Sequence, residues 1–577
     1  MKRTLLFAVV TLSFVPQLSA AKVDEYKARA MADILLRYYG QSAAESKMYV
    51  GSEMCLACHE DEVGWRESLH ATAFKVTDTS AFSMQIKHGV VVDYNQNGID
   101  DFVEGLDFNQ ISSAFDKYKP NAPILKYDDQ NGYQIQVGEL TMPVKFAYGG
   151  SGYWKQRFVV RIPVTDRPDG LSAGHYMSPV QYNEKVHEYV PFHPEHWWDE
   201  NGQPLFNSNT TTKDVAAKGK SFDRGCAGCH FTGLAVWQDG NGEWRAQAPV
   251  ATLYFPNDPH YYDFNGDRIK EQINTGCERC HGPGSMHILG RGDPEQIINP
   301  KDDWTPEQAN ALCGSCHTRG KSVPGHTFDY PYDETAKVAY ASALGEDLDR
   351  FFDPAPGRWP DGVTPTKHRQ QYLEFLESNK PTFPFHKVTC FECHDVHNTE
   401  EHHAVTEIES DGVVIPTEVD NDTLCLACHA THGDFETLTK EDIANYEQNR
   451  DKIAKVVRAH THHPYEPERQ LGLSRCIECH MPKVAKSAVP YDIRSHTFEP
   501  IPPEKTLMYQ DEGGMPNACA VRCHRGLNPA FGLPEDTSLT NWTEPADVSL
   551  AQWLMQYYGP DGIWWKHTVG EEHEEGQ

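Results

Sequence analysis

Past its first 20 residues the 577-residue chain has no apolar run long enough to cross a membrane, so no transmembrane anchor is expected in the mature protein. Cations are scarce as well. Against 83 Asp and Glu there are only 52 Lys and Arg, a net charge of −31. Such a surface repels a phosphate backbone, which removes nucleic acid from the expected partners. The chain also has no spare thiol. All 16 cysteines fall within one recurring unit, leaving none for a disulfide framework, a zinc cluster or a free nucleophile.

That unit is Cys-x-x-Cys-His. It reads Cys55/Cys58/His59, Cys226/Cys229/His230, Cys277/Cys280/His281, Cys313/Cys316/His317, Cys390/Cys393/His394, Cys425/Cys428/His429 and Cys476/Cys479/His480. An eighth copy, Cys519/Cys523/His524, has one more residue between its thiols. The pattern is the attachment signal of c-type haem: two thiols a turn apart add to the two vinyl groups of a porphyrin, and the next imidazole is held under the iron. A disulfide or zinc reading leaves the histidine after every second cysteine unexplained. Eight covalently bound c-type haems are therefore expected.

In chain order, Lys2 and Arg3, the apolar run Leu5 to Val15 and the small residues Ser19, Ala20 and Ala21 form the three-part pattern of a signal peptide over 1–21. It predicts an exported protein, in the periplasm, outside the cell or on its surface. Residues 22–90 should hold an amphipathic helix, ended by Gly40, and the first haem unit. Residues 91–215 read as a mostly β module, because Tyr133 to Val137 and Arg157 to Ile162 alternate like strands. Residues 216–577 read as a seven-haem domain. Within it Thr305-Pro-Glu-Gln308 should open a helix, another should run from Thr439 towards His460, and a last one should span Asp547 to Tyr558. The fold class expected is a multihaem cytochrome c, mainly α-helical and irregular around a covalent haem core, with the β module inserted near the N-terminus.

Within the β module, Asp93, Asn95, Asn97, Asp101 and Glu104 stand at positions 1, 3, 5, 9 and 12 of a calcium-type loop, with Gly98 at position 6 for its sharp turn. Ca2+ in a structural role is the matching expectation. The stretch Asp263 to Asp267 lacks glycine at that sixth position and reads as a plain turn.

What the haems do depends on their second axial ligands. Beyond the motif histidines there are 21 others among the 29, enough for two imidazoles at every iron. His397 and His432 each lie three residues past a motif histidine, too close to reach around their own haem but placed to meet the iron of a neighbour. His70, His287, His460 and His496 are the next candidate distal ligands. His402, His403, His567 and His573 lie in polar or terminal stretches and are read as solvated.

Through Tyr49 to Cys55, Gly276 to His287 and Cys476 to Pro482 the chain resembles exported bacterial multihaem, specifically octahaem, c-type cytochromes. The second segment is similar to the cytochrome c-554 lineage, and the third to pentahaem nitrite reductases and octahaem hydroxylamine oxidoreductases. The Cys-x-x-Cys-Lys unit that marks the catalytic haem of those reductases is missing here. The resemblance implies electron relay through closely packed bis-histidine haems, with redox proteins or an extracellular electron acceptor as partners, and self-association, even into filaments, as a variant. No catalytic residue is assigned on this reading. The alternative is an oxidoreductase acting on a small nitrogen or sulfur oxyanion at one five-coordinate haem, with Arg458, His462 or His463 over the open face.

Overall fold

The structure, a computed structural model, describes residues 25–40, 45–77, 92–150, 154–249, 261–263, 268–355, 357–378, 388–398, 401–525, 542–558 and 562–563. The proposed signal peptide, most of the 263–267 turn, His567 and His573 lie outside these.

Helices account for 36% and strands for 20% of the protein, which corrects the expectation of a mainly helical chain. A haem unit needs only one turn to bring its three side chains to one face. Accordingly the segments Ala227–His230, Glu278–His281 and Cys476–His480 are four or five residues long. The 38 prolines and 43 glycines break most of what lies between the units.

The largest regular element is a curled antiparallel sheet. Its strands are β1 (Phe74–Val76), β2 (Ile124–Asp128), β3 (Gly132–Val137), β4 (Leu140–Gly149), β5 (Lys155–Val160), β6 (Tyr176–Asn183) and β7 (Glu188–Pro191), in the order β2 to β7, with β1 pairing β4. The register slips between Val144 and Phe146 where β4 meets β5, and such a bulge bends the strand. Alternation along the strands then supplies two cores. Phe158, Val160 and Ala147 face a cluster with Phe102, Phe108, Tyr133 and Trp197. Their neighbours Val159, Phe146 and Tyr148 face the other way, onto Phe74, Phe222, Phe231 and the thiols Cys226 and Cys229. The sheet is thus the wall behind the second haem unit.

The Glu25–Tyr39 helix buries Ala32 and Leu35 against Val50, Met54 and Ile288, tying the first and third units together. Thr305 caps the Pro306–Gly314 helix through a reciprocal box with Gln308. The helix expected from Thr439 to His460 is two helices, Lys440–Ala444 and Tyr446–Thr461. Asn445, at φ −113° and ψ 48°, separates them. Its side chain donates to the Glu441 carbonyl at 2.8 Å, and its own carbonyl accepts from Gln448 and Asn449, so one residue ends the first helix and starts the second. The Pro545–Tyr558 helix packs Leu550 and Leu554 on Trp542 and Met515. Among the described residues no helix is long and apolar enough to cross a membrane.

Candidate haem sites

In the ordinary units the motif histidine closes a turn on the first cysteine. The N–H groups of His59, His281, His317 and His394 donate to the carbonyls of Cys55, Cys277, Cys313 and Cys390 at 3.0, 3.1, 2.9 and 3.0 Å. This i to i+4 closure sets both thiols and the imidazole on one face. The eighth unit absorbs its extra residue by widening: Ala520–His524 is a π-turn, with Arg525 N–H on the Ala520 carbonyl at 2.8 Å. All 16 cysteines are free of disulfide bonds.

Cys58 is only half-buried; its N–H donates to the Cys55 carbonyl at 3.0 Å, and its thiol acts electrostatically on that of Cys55. His429 is exposed at the end of the Thr423–His429 helix, and its carbonyl accepts from His432 N–H at 3.2 Å. Each stands near the end of a short helical segment, so the backbone fixes its position.

Motif histidines meet other histidines across a gap. The ring centroids of His59 and His287 are 6.1 Å apart and 24° from parallel. His281 and His397 stand at 6.1 Å and 21°, His460 and His480 at 6.1 Å and 13°, and His463 and His524 at 6.4 Å and 60°. Van der Waals stacking would bring rings closer than this. Two imidazoles on opposite sides of one metal, each with a bond of about 2 Å, place their centroids about 6 Å apart, so these gaps fit an iron.

The outer nitrogens agree with that fit. The Nδ1 atoms of His281, His287 and His463 lie 2.7, 2.9 and 2.6 Å from the carbonyls of Ile298, Asp293 and Thr461. A carbonyl only accepts, so Nδ1 carries the proton and Nε2 keeps its lone pair for a metal. Burial also holds the rings neutral, lowering the pKa of His70 and His230 to about 4 and of His496 to about 3.

Of the other candidates, His70 lies 6.5 Å and 85° from His317 and 5.5 Å and 13° from His403. His496 is within electrostatic reach of His394. His432 is different: its Nδ1 approaches the Ala430 carbonyl at 3.0 Å, and among the described residues no ring stands opposite it. His403, expected in solvent, is instead half-buried with Nδ1 on the Asn398 carbonyl. The carbonyl of His402 accepts from His394 Nδ1 at 2.9 Å. Nothing in the local sequence distinguished these residues or His463, because their partners come from distant segments.

The units also abut one another. The sulfur atoms of Cys55 and Cys277, Cys229 and Cys316, Cys313 and Cys390, and Cys425 and Cys476 are close neighbours that act on one another electrostatically. Cys280 acts electrostatically on Cys313, Cys393 feels Cys425 and Cys428, and Cys479 feels Cys519 and Cys523. Units 1, 3, 4, 5, 6, 7 and 8 therefore follow one another as a row, with unit 2 attached at unit 4. Buried Arg279 ties that junction, reaching the Gly228 carbonyl and Ser315 Oγ at 3.3 Å and Cys316 Sγ at 3.4 Å.

In the calcium-type loop, Asp93 accepts from the N–H groups of Asn97 and Gly98 at 3.0 and 2.7 Å. The side chains of Asn95 and Asn97 reach Glu104 at 3.1 and 2.5 Å. Four of the five expected oxygen donors thus lie around one turn. Asp101 serves the core instead: it is fully buried, accepts from Tyr94 N–H and from Tyr189 OH at 2.7 Å, and burial raises its pKa to about 7. Among the described residues there is no group of three or more His, Cys, Asp or Glu side chains able to hold a metal; two of the four donors here are amides.

No family model matches the chain, and no curated protein does. Among solved structures it is similar to the outer cell wall cytochrome OcwA, at 17% identity and a TM-score of 0.44, over 89% of this chain and 97% of that one. It is also similar to an undecahaem cytochrome from the S-layer of Carboxydothermus ferrireducens, at 15% identity and a TM-score of 0.31, over 86% of this chain and 59% of that one.

Proposed function

We propose that this chain is an exported octahaem c-type cytochrome that relays electrons between redox partners, which include a partner or acceptor outside the cell. The observation that carries the reading is the set of histidine pairs about 6 Å apart, each joining a motif histidine to a histidine from another segment. Haem supplies the one-electron chemistry. The protein's own residues would hold the irons of six units between two imidazoles, fix several of their tautomers through backbone carbonyls, and keep successive units in contact. Two strong ligands leave no position for substrate, which suits transfer rather than conversion.

On this reading His287, His397, His460 and His463 are second ligands to the haems of units 1, 3, 7 and 8, His70 to that of unit 4, and His496 to that of unit 5. The test is a pyridine haemochrome count together with electron paramagnetic resonance of the ferric protein. Eight haems per chain are expected, and His287→Ala and His397→Ala should each turn one low-spin iron high-spin. A lower count, or variants with an unchanged spectrum, refutes the assignment.

Asp93, Asn95, Asn97 and Glu104 are proposed to hold a structural Ca2+. Added calcium should raise the melting temperature of the holoprotein, and Glu104→Gln should abolish that rise. A calcium effect that survives the substitution places the ion elsewhere.

A further inference from the structure

Only two arginines lie between the paired cysteines of any haem unit, Arg279 of unit 3 and Arg522 of unit 8. Their settings differ. Arg522 is partly exposed and pairs through Nε with Glu478 at 3.3 Å. Arg279 is 4% exposed, and among the described residues no carboxylate pairs with it. The acid next to it in sequence, Glu278, is engaged elsewhere: its carboxylate accepts from the N–H groups of Val50, Gly51 and Gly284 at 2.9, 2.8 and 2.8 Å.

What Arg279 touches is the junction of units 2, 3 and 4. Its Nη2 lies 3.3 Å from the carbonyl of Gly228, between Cys226 and Cys229, and 3.3 Å from the Oγ of Ser315, between Cys313 and Cys316. It is also 3.4 Å from Cys316 Sγ, and that sulfur stands 3.5 Å from the Cys229 carbonyl. Nε and Nη1 are buried with no hydrogen-bond partner. A guanidinium keeps its charge at any physiological pH, and burying one without a counter-charge is costly. Cys316 Sγ is an atom through which unit 4 would hold its macrocycle. Reduction adds one negative charge to a haem, and a fixed cation at its edge in a low dielectric favours that state.

We propose that Arg279 raises the potential of the unit 4 haem, so that an electron on the row comes to rest at the junction. In each transfer a ferrous iron in unit 3 or 5 gives up one electron and the ferric iron of unit 4 takes it, with no proton or further reactant. The proposal rests on the units being haem sites, and a count of eight haems checks that separately.

The test is a spectropotentiometric titration of the holoprotein, with haems counted in each variant. Arg279→Gln should shift the reduction equilibrium of one haem about tenfold towards ferric, a fall of about 59 mV for one electron. Arg279→Lys keeps the charge and should recover most of that fall. Ser315→Asp sets a carboxylate against the guanidinium and should lower the same potential, and it carries the test if Arg279→Gln loses haem. In the Cys313→Ala/Cys316→Ala background, which lacks unit 4, Arg279→Gln should leave the remaining potentials unchanged. Potentials unmoved in Arg279→Gln and Ser315→Asp overturn the proposal, and make Arg279 a packing residue. A fall that persists without unit 4 also overturns it, because the charge then acts on unit 2 or 3. So does an equal fall in Arg279→Lys, which assigns the effect to shape rather than charge.

Discussion

At the scale of single residues, the haem units carry requirements beyond their three named positions. Gly228, inside Cys226-Ala-Gly-Cys229, lies under the ring of Tyr330, and a Cβ there would come 2.0 Å from it. Gly228→Ala should therefore cost about 1–3 kcal/mol by overpacking, read as a lower melting temperature of the holoprotein; an unchanged melt would mean that Tyr330 moves freely. Glu374 offers a second test. Burial raises its carboxyl to about 8, against the opposing hydrogen bonds from the Ser495 side chain and the His496 backbone, whereas an unfolded glutamate titrates near ~4.3. The folded state thus holds the proton more tightly, so this stabilisation is complete below about pH 4 and is lost as pH rises through about 8. Melting temperature should fall across that window, and Glu374→Gln should flatten the fall. An equal slope in the variant would count against the assignment.

At the scale of elements, local chemistry was legible where it was local. The Thr305 and Gln308 box is visible in four consecutive residues and forms as read. The break at Asn445 was not visible, because the apolar positions Ile443, Tyr446, Ile453 and Val457 keep a helical spacing across it. Thr439 caps the first of the two helices and exchanges hydrogen bonds with Asp442, which also pairs with Lys452 at 2.5 Å. Thr439→Ala should cost about 1 kcal/mol. Because Lys440 Nζ donates to the Ala427 and Cys428 carbonyls, the same change should loosen unit 6, seen as faster amide exchange at 425–429; exchange confined to 440–444 would contradict that link.

At the scale of the whole molecule, the abutting units make a row with a junction at unit 4. Removing that haem with Cys313→Ala/Cys316→Ala should separate units 1 and 3, unit 2, and units 5 to 8. Stopped-flow reoxidation of the reduced protein should then split into distinct phases, while Cys519→Ala/Cys523→Ala at the end of the row should leave its form unchanged. Equal behaviour of the two variants would mean that electrons bypass unit 4. The excess of acids, 83 against 52 bases, acts at this scale too: it favours a cationic partner surface, through an attraction that salt weakens.

The sequence alone determined what is covalent or contiguous: eight thiol pairs each followed by a histidine, the turn residues of the calcium-type loop, and the helix caps. These are visible because their physics is confined to a few bonds along the chain. Only the tertiary structure decided which histidine faces which. His397 and His432 stand at the same distance after a motif histidine, yet one lies across a gap from His281 and the other turns to its own backbone. Spacing is equal in the two cases, and the difference is the segment that packs opposite. The approach of Arg157 and Arg369 to His230 likewise joins positions far apart in the chain, which packing brings together and periodicity does not.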